Sequence, residues 1–137
     1  MTQSLSRIFL SKPHMGGDEQ ALVNQVFETN MVAPVGPMLD RFEQALIDYT
    51  GIEHGAALAS GTAALHLAMI MLKVGPGDQV WTPSMTFMGG VSGLVVQGAT
   101  PVFFDNAPDT WCLDAELLAD ELAAARLGKR LPKAIIA

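Results

Sequence analysis

The apolar positions in the first fifty residues recur at the spacing of an α-helix and predict two helices before any strand. Asp18 is the expected cap of the first helix. One face of that helix would carry four apolar residues, Leu22, Val23, Val26 and Phe27. The segment at residues 30–36, "NMVAPVG", contains a proline and a glycine and should end it. Pro37 suits the first turn of a second helix, and Gly51 is its expected stop.

From residue 56 onward the pattern changes to short apolar runs that alternate with helix-like segments. Strands are expected at residues 56–59, 79–82, 101–104 and 133–137. Helices are expected at residues 62–72 and 84–96, and between the capping residue Asp114 and Gly128. Such alternation is typical of a parallel sheet with helices on both faces. The expected fold class is α/β with a mainly parallel sheet and flanking helices, with an N-terminal helical segment at residues 1–52 and an incomplete α/β domain at residues 53–137.

The composition is rich in apolar residues for a small soluble domain. Half of the 137 residues are hydrophobic and 16% are charged, although a small domain needs a large polar exterior. A membrane protein is one explanation, because no charge lies between Asp78 and Asp105. Prolines and glycines divide that span, however, at Pro83, Gly89, Gly90, Gly93, Gly98 and Pro101. Because an apolar run also ends the chain, at residues 133–137, we expect the front part of a larger domain.

Charge and cysteine content exclude several classes of function. The formal net charge is −6, which argues against a nucleic-acid partner because phosphate binding needs a basic surface. Cys112 is the only cysteine, so no internal disulfide can form and a cytoplasmic location is expected. The first ten residues lack the pattern of a secretory signal. The histidines His14, His54 and His66 show no metal-ligand spacing, so no metal is expected.

A first candidate site follows the expected strand at residues 56–59, in the stretch "ALASGTAALHLAM". Ligands of open α/β sheets bind beyond the carboxyl ends of the strands. A helix that begins near Ser60 would present free N–H groups and a positive dipole end, which favour a phosphate. Gly61 would let the backbone approach closely, and the Ser60 and Thr62 hydroxyls could donate. Alternatively, Ser60 or Thr62 simply caps a helix.

A second candidate site follows the strand at residues 79–82. Phe87 comes shortly after it, where its ring could enter the same crevice and offer a face to a flat phosphorylated cofactor. Alternatively, Phe87 faces the core. After the third strand, Asp105 is either a polar lining of the site or a turn residue. The glycine-rich dinucleotide fingerprint and the Walker lysine motif are both missing from the sequence.

Four segments together resemble the DegT/DnrJ/StrS family of pyridoxal-phosphate-dependent sugar aminotransferases: "LSKPHMGGDE…NMVAPVGPMLDRFE", "SGTAALHLA", "VGPGDQVWTPSMTF" and "GATPVFFD". The resemblance runs from about Leu10 to Ala137. It implies the N-terminal portion of the large domain of a fold-type I transferase, usually a homodimer with active sites at the subunit interface. It places the backbone of Thr62 and Ala63 and the Thr62 hydroxyl on the phosphate of pyridoxal 5'-phosphate, and Phe87 against its pyridine ring. It also implies that the loop with Pro34 and Gly36 lies near the substrate entrance.

The resemblance also implies a Schiff-base lysine and a ring-nitrogen aspartate, and both would come beyond Ala137. None of the four lysines matches the lysine motif: Lys12, Lys73, Lys129 and Lys133. The parent enzyme would transfer an amino group from glutamate or glutamine to a nucleotide-linked keto sugar. Without the lysine this chain alone should be inactive. A sugar dehydratase on the same scaffold, a non-catalytic remnant and an unrelated nucleotide-binding module are the alternatives.

Overall fold

A computed structural model of the chain describes residues 7–9, 11–128 and 130–137. The expectations for residues 1–6, Leu10 and Lys129 lie outside the described residues. The chain divides between Ala57 and Leu58 into two compact units. The division expected between residues 52 and 53 stays a prediction.

The first unit contains helices α1 (Glu19–Glu28) and α2 (Pro37–Thr50). The expected bounds of α2 are confirmed, because Pro37 is its first residue and Gly51 follows its last. Gly51 adopts a left-handed conformation with φ of 71°, and its N–H donates to the Ile47 carbonyl at 2.8 Å. This bond satisfies one of the carbonyls that a helix end leaves without a partner.

The prediction that the Asp18 side chain caps α1 is wrong. Asp18 occupies the capping position but makes no side-chain capping hydrogen bond, since its backbone is already close to helical (φ −91°, ψ −13°). The Glu19 carboxylate turns back instead and accepts hydrogen bonds from the N–H groups of Gly16 and Gly17, the latter at 2.8 Å. The Gly16 N–H is the largest cause that lowers the pKa of Glu19 below its ordinary value, followed by the N–H groups of Glu19 itself and Gly17.

In its described residues, the second unit contains three helices and a small parallel sheet of three strands. In chain order its elements are α3 (Gly61–Met71), β1 (Gln79–Pro83), α4 (Met88–Val96), β2 (Thr100–Phe104), α5 (Ala115–Leu127) and β3 (Ala134–Ile135). Strand β1 is central and pairs in parallel with both neighbours, in the order β2-β1-β3. Val80 lies opposite Pro101 on one side and Ala134 on the other. The expected α/β fold with a parallel sheet is confirmed.

Three expected elements differ from the structure. Residues 56–59 are not a buried strand: they form no ladder with any described strand, and Leu58 is exposed. An apolar run becomes a strand only where a neighbour takes up its N–H and C=O groups. The last strand covers only Ala134–Ile135. Helix α4 begins at Met88 rather than at residue 84, because the Ser84 N–H still donates to the Phe104 carbonyl at 2.7 Å and continues the β1–β2 ladder.

The core of the second unit lies between the sheet and the helices α3 and α4. Its buried cluster is Met69, Val74, Val80, Val91, Leu94 and Ala99. The two helices approach at backbone distance, because a Cβ atom at Gly93 would lie 2.9 Å from the His66 Cα. The opposite face of the sheet carries Trp81, whose ring centroid lies 4.8 Å from that of Phe104. The predicted cap of α5 is confirmed, since Asp114 Oδ1 accepts from the N–H groups of Glu116 and Leu117, both at 3.0 Å.

Two further observations concern the described residues as a whole. No helix among them is both long and apolar enough to cross a membrane. No group of three or more His, Cys, Asp or Glu side chains in this part of the chain is arranged to hold a metal ion.

The Glu19 carboxylate should make the N-terminus of α1 sensitive to acid. A lowered folded-state pKa means that its contribution to stability is present above the unfolded pKa and is lost as the pH falls through the folded pKa. We expect NMR titration of the Glu19 side chain to give a midpoint below that of an ordinary glutamate, and Glu19→Gln to weaken the acid dependence of α1 helicity. A Glu19 midpoint at or above the ordinary value would contradict this expectation.

Substitution of Thr82 should stabilise the second unit. Thr82 is fully buried on β1, and its Oγ1 has no hydrogen-bond partner among the described residues. A buried hydroxyl without a partner keeps its desolvation penalty, so Thr82→Val should raise the free energy of unfolding by about 1 kcal/mol. Urea denaturation measures this change. The control is Thr100→Val on β2, which makes the same substitution at an exposed position and should change stability by less than about 0.5 kcal/mol. Destabilisation by Thr82→Val would refute the argument.

Candidate functional site

A cleft of about 530 Å³ lies in the second unit, beyond the carboxyl ends of β1 and β3. It is bounded by the N-terminus of α3, the segment between β1 and α4, the first turn of α4 and the residues after β3. Its lining residues are Ser60, Gly61, Thr62, Leu65, Thr86, Phe87, Gly89, Gly90, Ile136 and Ala137. The structure thus brings together the two junctions that the sequence singled out.

The N-terminus of α3 is capped by Ser60 and still leaves donors free for a ligand. Ser60 has an extended backbone (φ −166°, ψ 162°), and its Oγ accepts from the Ala63 N–H at 3.1 Å. The capping interpretation of Ser60 is therefore confirmed. The same bond occupies the Ala63 N–H. Among the described residues, no partner is found for the N–H groups of Gly61 and Thr62, which are the first two of the helix and have no intrahelical acceptor.

Gly89 creates the space in which the Thr62 hydroxyl lies. A Cβ atom at this position would overlap Thr62 Oγ1 and would come within 3.0 Å of two atoms of the Phe87 ring. Because Gly89 has no side chain, the Thr62 hydroxyl on α3 and the Phe87 ring can both pack against its Cα in the first turn of α4. Because any larger residue would displace one of them, the shape of the cleft depends on this glycine.

Phe87 stands at the mouth of the cleft with its ring in solvent. It is 83% exposed, so the alternative that it faces the core is wrong. It is also the residue before α4, whose N-terminus has no side-chain cap. Two helix N-termini therefore meet at one cleft, and each contributes the positive end of its dipole. The arrangement can hold an anion beside an aromatic face.

The remaining predicted site residues do not line this cleft. Asp105 is exposed, and its backbone carbonyl, not its carboxylate, makes the contact, accepting from the Asp114 N–H at 3.1 Å. Neither expected role of its side chain is seen. Pro34 and Gly36 belong to the first unit, where Gly36 lines an apolar groove of about 270 Å³ beside Met31 and Val35. Their place on the substrate side stays a prediction.

Several lining residues escaped the sequence analysis, notably Thr86, Gly89 and Gly90. Glycine inside a helix costs stability relative to alanine, so two of them at the start of α4 signal a close approach of other atoms. That signal was present in the sequence. The identity of the approaching atoms was not, because Thr62 lies on a different helix.

Comparison with known proteins places the chain in a family. Residues 13–137 match the DegT/DnrJ/EryC1/StrS aminotransferase family. The chain belongs to this family. The resemblance seen in the sequence is thereby confirmed, and the family is one of pyridoxal-phosphate-dependent enzymes.

Individual relatives agree with this assignment. EpsN of Bacillus subtilis, which is named as a pyridoxal phosphate-dependent aminotransferase, is 42% identical over 96% of this chain and 34% of its own length. GDP-perosamine synthase of Caulobacter vibrioides is 40% identical over 83% of this chain and 31% of its own length. The crystal structure of a DegT DnrJ EryC1 StrS aminotransferase from Brucella abortus is similar with a TM-score of 0.74 and 37% identity, over 85% of this chain and 31% of that one. The chain thus spans about a third of the length of these relatives.

Gly89→Ala should destabilise the second unit and distort the cleft. The added methyl group overlaps Thr62 Oγ1 and crowds the Phe87 ring, and overpacking of this kind costs about 1–3 kcal/mol. Thermal and urea unfolding measure the loss. Gly61→Ala is the matched control for stability, since a Cβ atom there meets nothing within 4 Å and should be tolerated. Equal stability of the two variants would contradict the close packing of Gly89 against the Thr62 hydroxyl and the Phe87 ring.

Proposed function

We propose that the cleft binds pyridoxal 5'-phosphate and that the chain corresponds to the N-terminal, cofactor-binding part of a sugar aminotransferase. One observation carries the proposal: free backbone donors, a hydroxyl and an exposed aromatic ring line a single cleft at the carboxyl edge of the sheet. These are the groups that a flat, phosphorylated ring requires. Membership in the family supports the same cofactor.

The residues present fit the phosphate end of this cofactor. The Gly61 and Thr62 N–H groups and the Thr62 hydroxyl would bind the phosphate, and the dipole of α3 would favour its charge. Ser60 would act indirectly, because its hydroxyl fixes the first turn of α3 by accepting from Ala63. Ala63 is therefore proposed as part of the turn that shapes the cradle, with its N–H already in use.

The residues present also fit the ring end. The exposed face of Phe87 would stack on the pyridine ring, and Gly89 leaves room for the ring and the Thr62 hydroxyl together. When bound, the cofactor supplies an electron-withdrawing ring that makes transfer of an amino group possible. The role of this chain is then to bind the phosphate, orient the ring and fix its distance from the sheet edge.

We infer the reaction from the family and its relatives. The proposed substrates are a nucleotide-linked keto sugar and an amino donor, glutamate or glutamine, in glycan biosynthesis. The similarity to a GDP-perosamine synthase supports a sugar substrate. None of the residues that line the cleft in the described part of the chain is a lysine, so the Schiff-base lysine is proposed to lie outside residues 1–137. A homodimer and a cytoplasmic location complete the proposal.

The binding test uses pyridoxamine 5'-phosphate, because this form cannot attach covalently to surface lysines. We expect the purified chain to bind it, and inorganic phosphate to compete. Thr62→Ala and Phe87→Leu should each weaken binding by about threefold to tenfold, the cost of one lost contact. Phe103→Leu is the matched control, since Phe103 is an exposed ring on β2 that does not line this cleft.

The outcomes separate the alternatives. An affinity for pyridoxamine 5'-phosphate that is unchanged in both Thr62→Ala and Phe87→Leu would refute the assigned site. Binding of a nucleotide in place of pyridoxamine 5'-phosphate would favour an unrelated nucleotide-binding module. The isolated chain should show no amino transfer from glutamate to a keto sugar. Turnover by this chain alone would overturn the proposal that the lysine lies elsewhere.

A further inference from the structure

We propose that Asn106 is a positioning residue for the aromatic side of the cleft. Its carboxamide fastens the segment that leaves β1 to the loop that leaves β2, and so fixes the place at which Phe87 projects. The ligand part of this inference rests on the proposed function. The structural part concerns the chain alone.

The Asn106 side chain makes three hydrogen bonds that join two separate loops. Its Oδ1 accepts from the Met85 N–H at 2.9 Å and from the Ser84 Oγ at 3.2 Å. Its Nδ2 donates to the Trp111 carbonyl at 2.8 Å. A carboxamide can make about four such bonds, so this half-buried side chain is nearly saturated. Side chains with this many partners have one defined orientation and can serve as rigid connectors.

The hydrogen bond to the Trp111 carbonyl anchors the Asn106 side chain to the loop that follows β2. Trp111 adopts a left-handed conformation, with φ of 61°, which is costly for a bulky residue. The Trp111 N–H donates to the Ala107 carbonyl, and the Ala107 N–H donates to the Cys112 carbonyl, both at 2.9 Å. These bonds close the loop after β2 into a compact turn whose carbonyl faces Asn106. The strained turn is held in place in part by the bond that Asn106 donates.

The contacts to Ser84 and Met85 determine the path of the chain toward the cleft. Only Thr86 and Phe87 separate Met85 from the first residue of α4, and both line the cleft. Among the described residues, the one other backbone hydrogen bond that ties residues 84–87 to β2 is donated by the Ser84 N–H to the Phe104 carbonyl. On the other side, the Gly90 N–H donates to the Phe87 carbonyl at 2.8 Å and starts the turn of α4. Phe87 is therefore held between the Asn106 contact and the helix.

Amide hydrogen exchange tests the structural part. In Asn106→Ala the Met85 N–H loses its acceptor and should exchange about tenfold faster, and the Gly90 N–H should exchange faster as well, because the segment that carries Phe87 is released. Asn106→Asp keeps the oxygen that accepts from Met85 but cannot donate to the Trp111 carbonyl, so it should restore slow exchange at both amides only in part. The control is Asn24→Ala, which removes a side chain whose hydrogen bond within the described part of the chain is the one accepted from Gln20 on α1. It should leave both amides unchanged.

Ligand binding separates positioning from simple support of the fold. Asn106→Ala should weaken the binding of pyridoxamine 5'-phosphate by about threefold to tenfold. The affinity for inorganic phosphate, which α3 is proposed to bind, should change by less than about twofold. Asn106→Asp, which keeps the contact with Met85 and loses the one with Trp111, should recover part of the affinity for pyridoxamine 5'-phosphate. The proposal would be overturned if Asn106→Ala weakened the binding of both ligands equally. It would also be overturned if only the Met85 amide exchanged faster, while the exchange of the Gly90 amide and the affinities for both ligands stayed unchanged.

One outcome bears on the proposed function separately. If the wild-type chain binds inorganic phosphate but not pyridoxamine 5'-phosphate, the proposed cofactor is wrong. The Gly90 exchange rate then decides the role of Asn106 by itself: faster exchange in Asn106→Ala with partial recovery in Asn106→Asp supports it, and an unchanged rate in Asn106→Ala refutes it.

Discussion

The parallel pairing of β1 with both of its neighbours is the constraint on which the rest of the second unit depends. Parallel strands all end at the same edge of the sheet, so every segment that leaves a strand starts there. Helix α3 returns to the start of β1, which places its own N-terminus at that edge too. The free donors of α3, the ring of Phe87 and the end of β3 therefore meet in one cleft. Their residues are far apart in sequence, and only the strand direction brings them together.

Close approach of α3 and α4 is the second requirement. Gly93 allows the two backbones to touch beside His66, and Gly89, one turn earlier, leaves room for the Thr62 hydroxyl. The two glycines are thus part of one packed surface: one sets the separation of the helices, and the other uses that separation to shape the cleft. Helix stability is reduced to achieve this, since Gly90 adds a third glycine to the same short helix.

The elements that local chemistry specifies could be predicted from the sequence. Pro37 and Gly51 fix the ends of α2, Asp114 caps α5, and the apolar runs of β1 and β2 form the expected strands. Residues 56–59 carried the same kind of signal and failed, because a strand also needs a partner that no local pattern reveals. The family resemblance was visible for the same reason as the strands: it rests on ordered segments, not on tertiary contacts.

The candidate site could be predicted only in part. Ser60, Gly61, Thr62 and Phe87 were predicted because each lies within a few residues of the end of an expected strand, where general rules place ligands. The contact of the Glu19 carboxylate with the N–H groups of Gly16 and Gly17 was missed because Asp18 and Glu19 both suit a helix start and the choice between them depends on backbone angles. Asn106 was missed for a different reason: its partners lie about twenty residues upstream and five residues downstream, and no periodicity links them.

The electrostatics of the cleft follow from the same architecture. The chain has a net charge of −6, and none of the described side chains that line the cleft carries a charge. An anion held there must therefore rely on backbone N–H groups and helix dipoles, whose effect is confined to the first turn of each helix. The proposed phosphate would therefore be recognised by geometry more than by long-range attraction, which requires donors that are fixed before the ligand binds. Ser60, which fastens the first turn of α3, and Asn106, which fastens the segment before α4, meet that need on the two sides of the cleft.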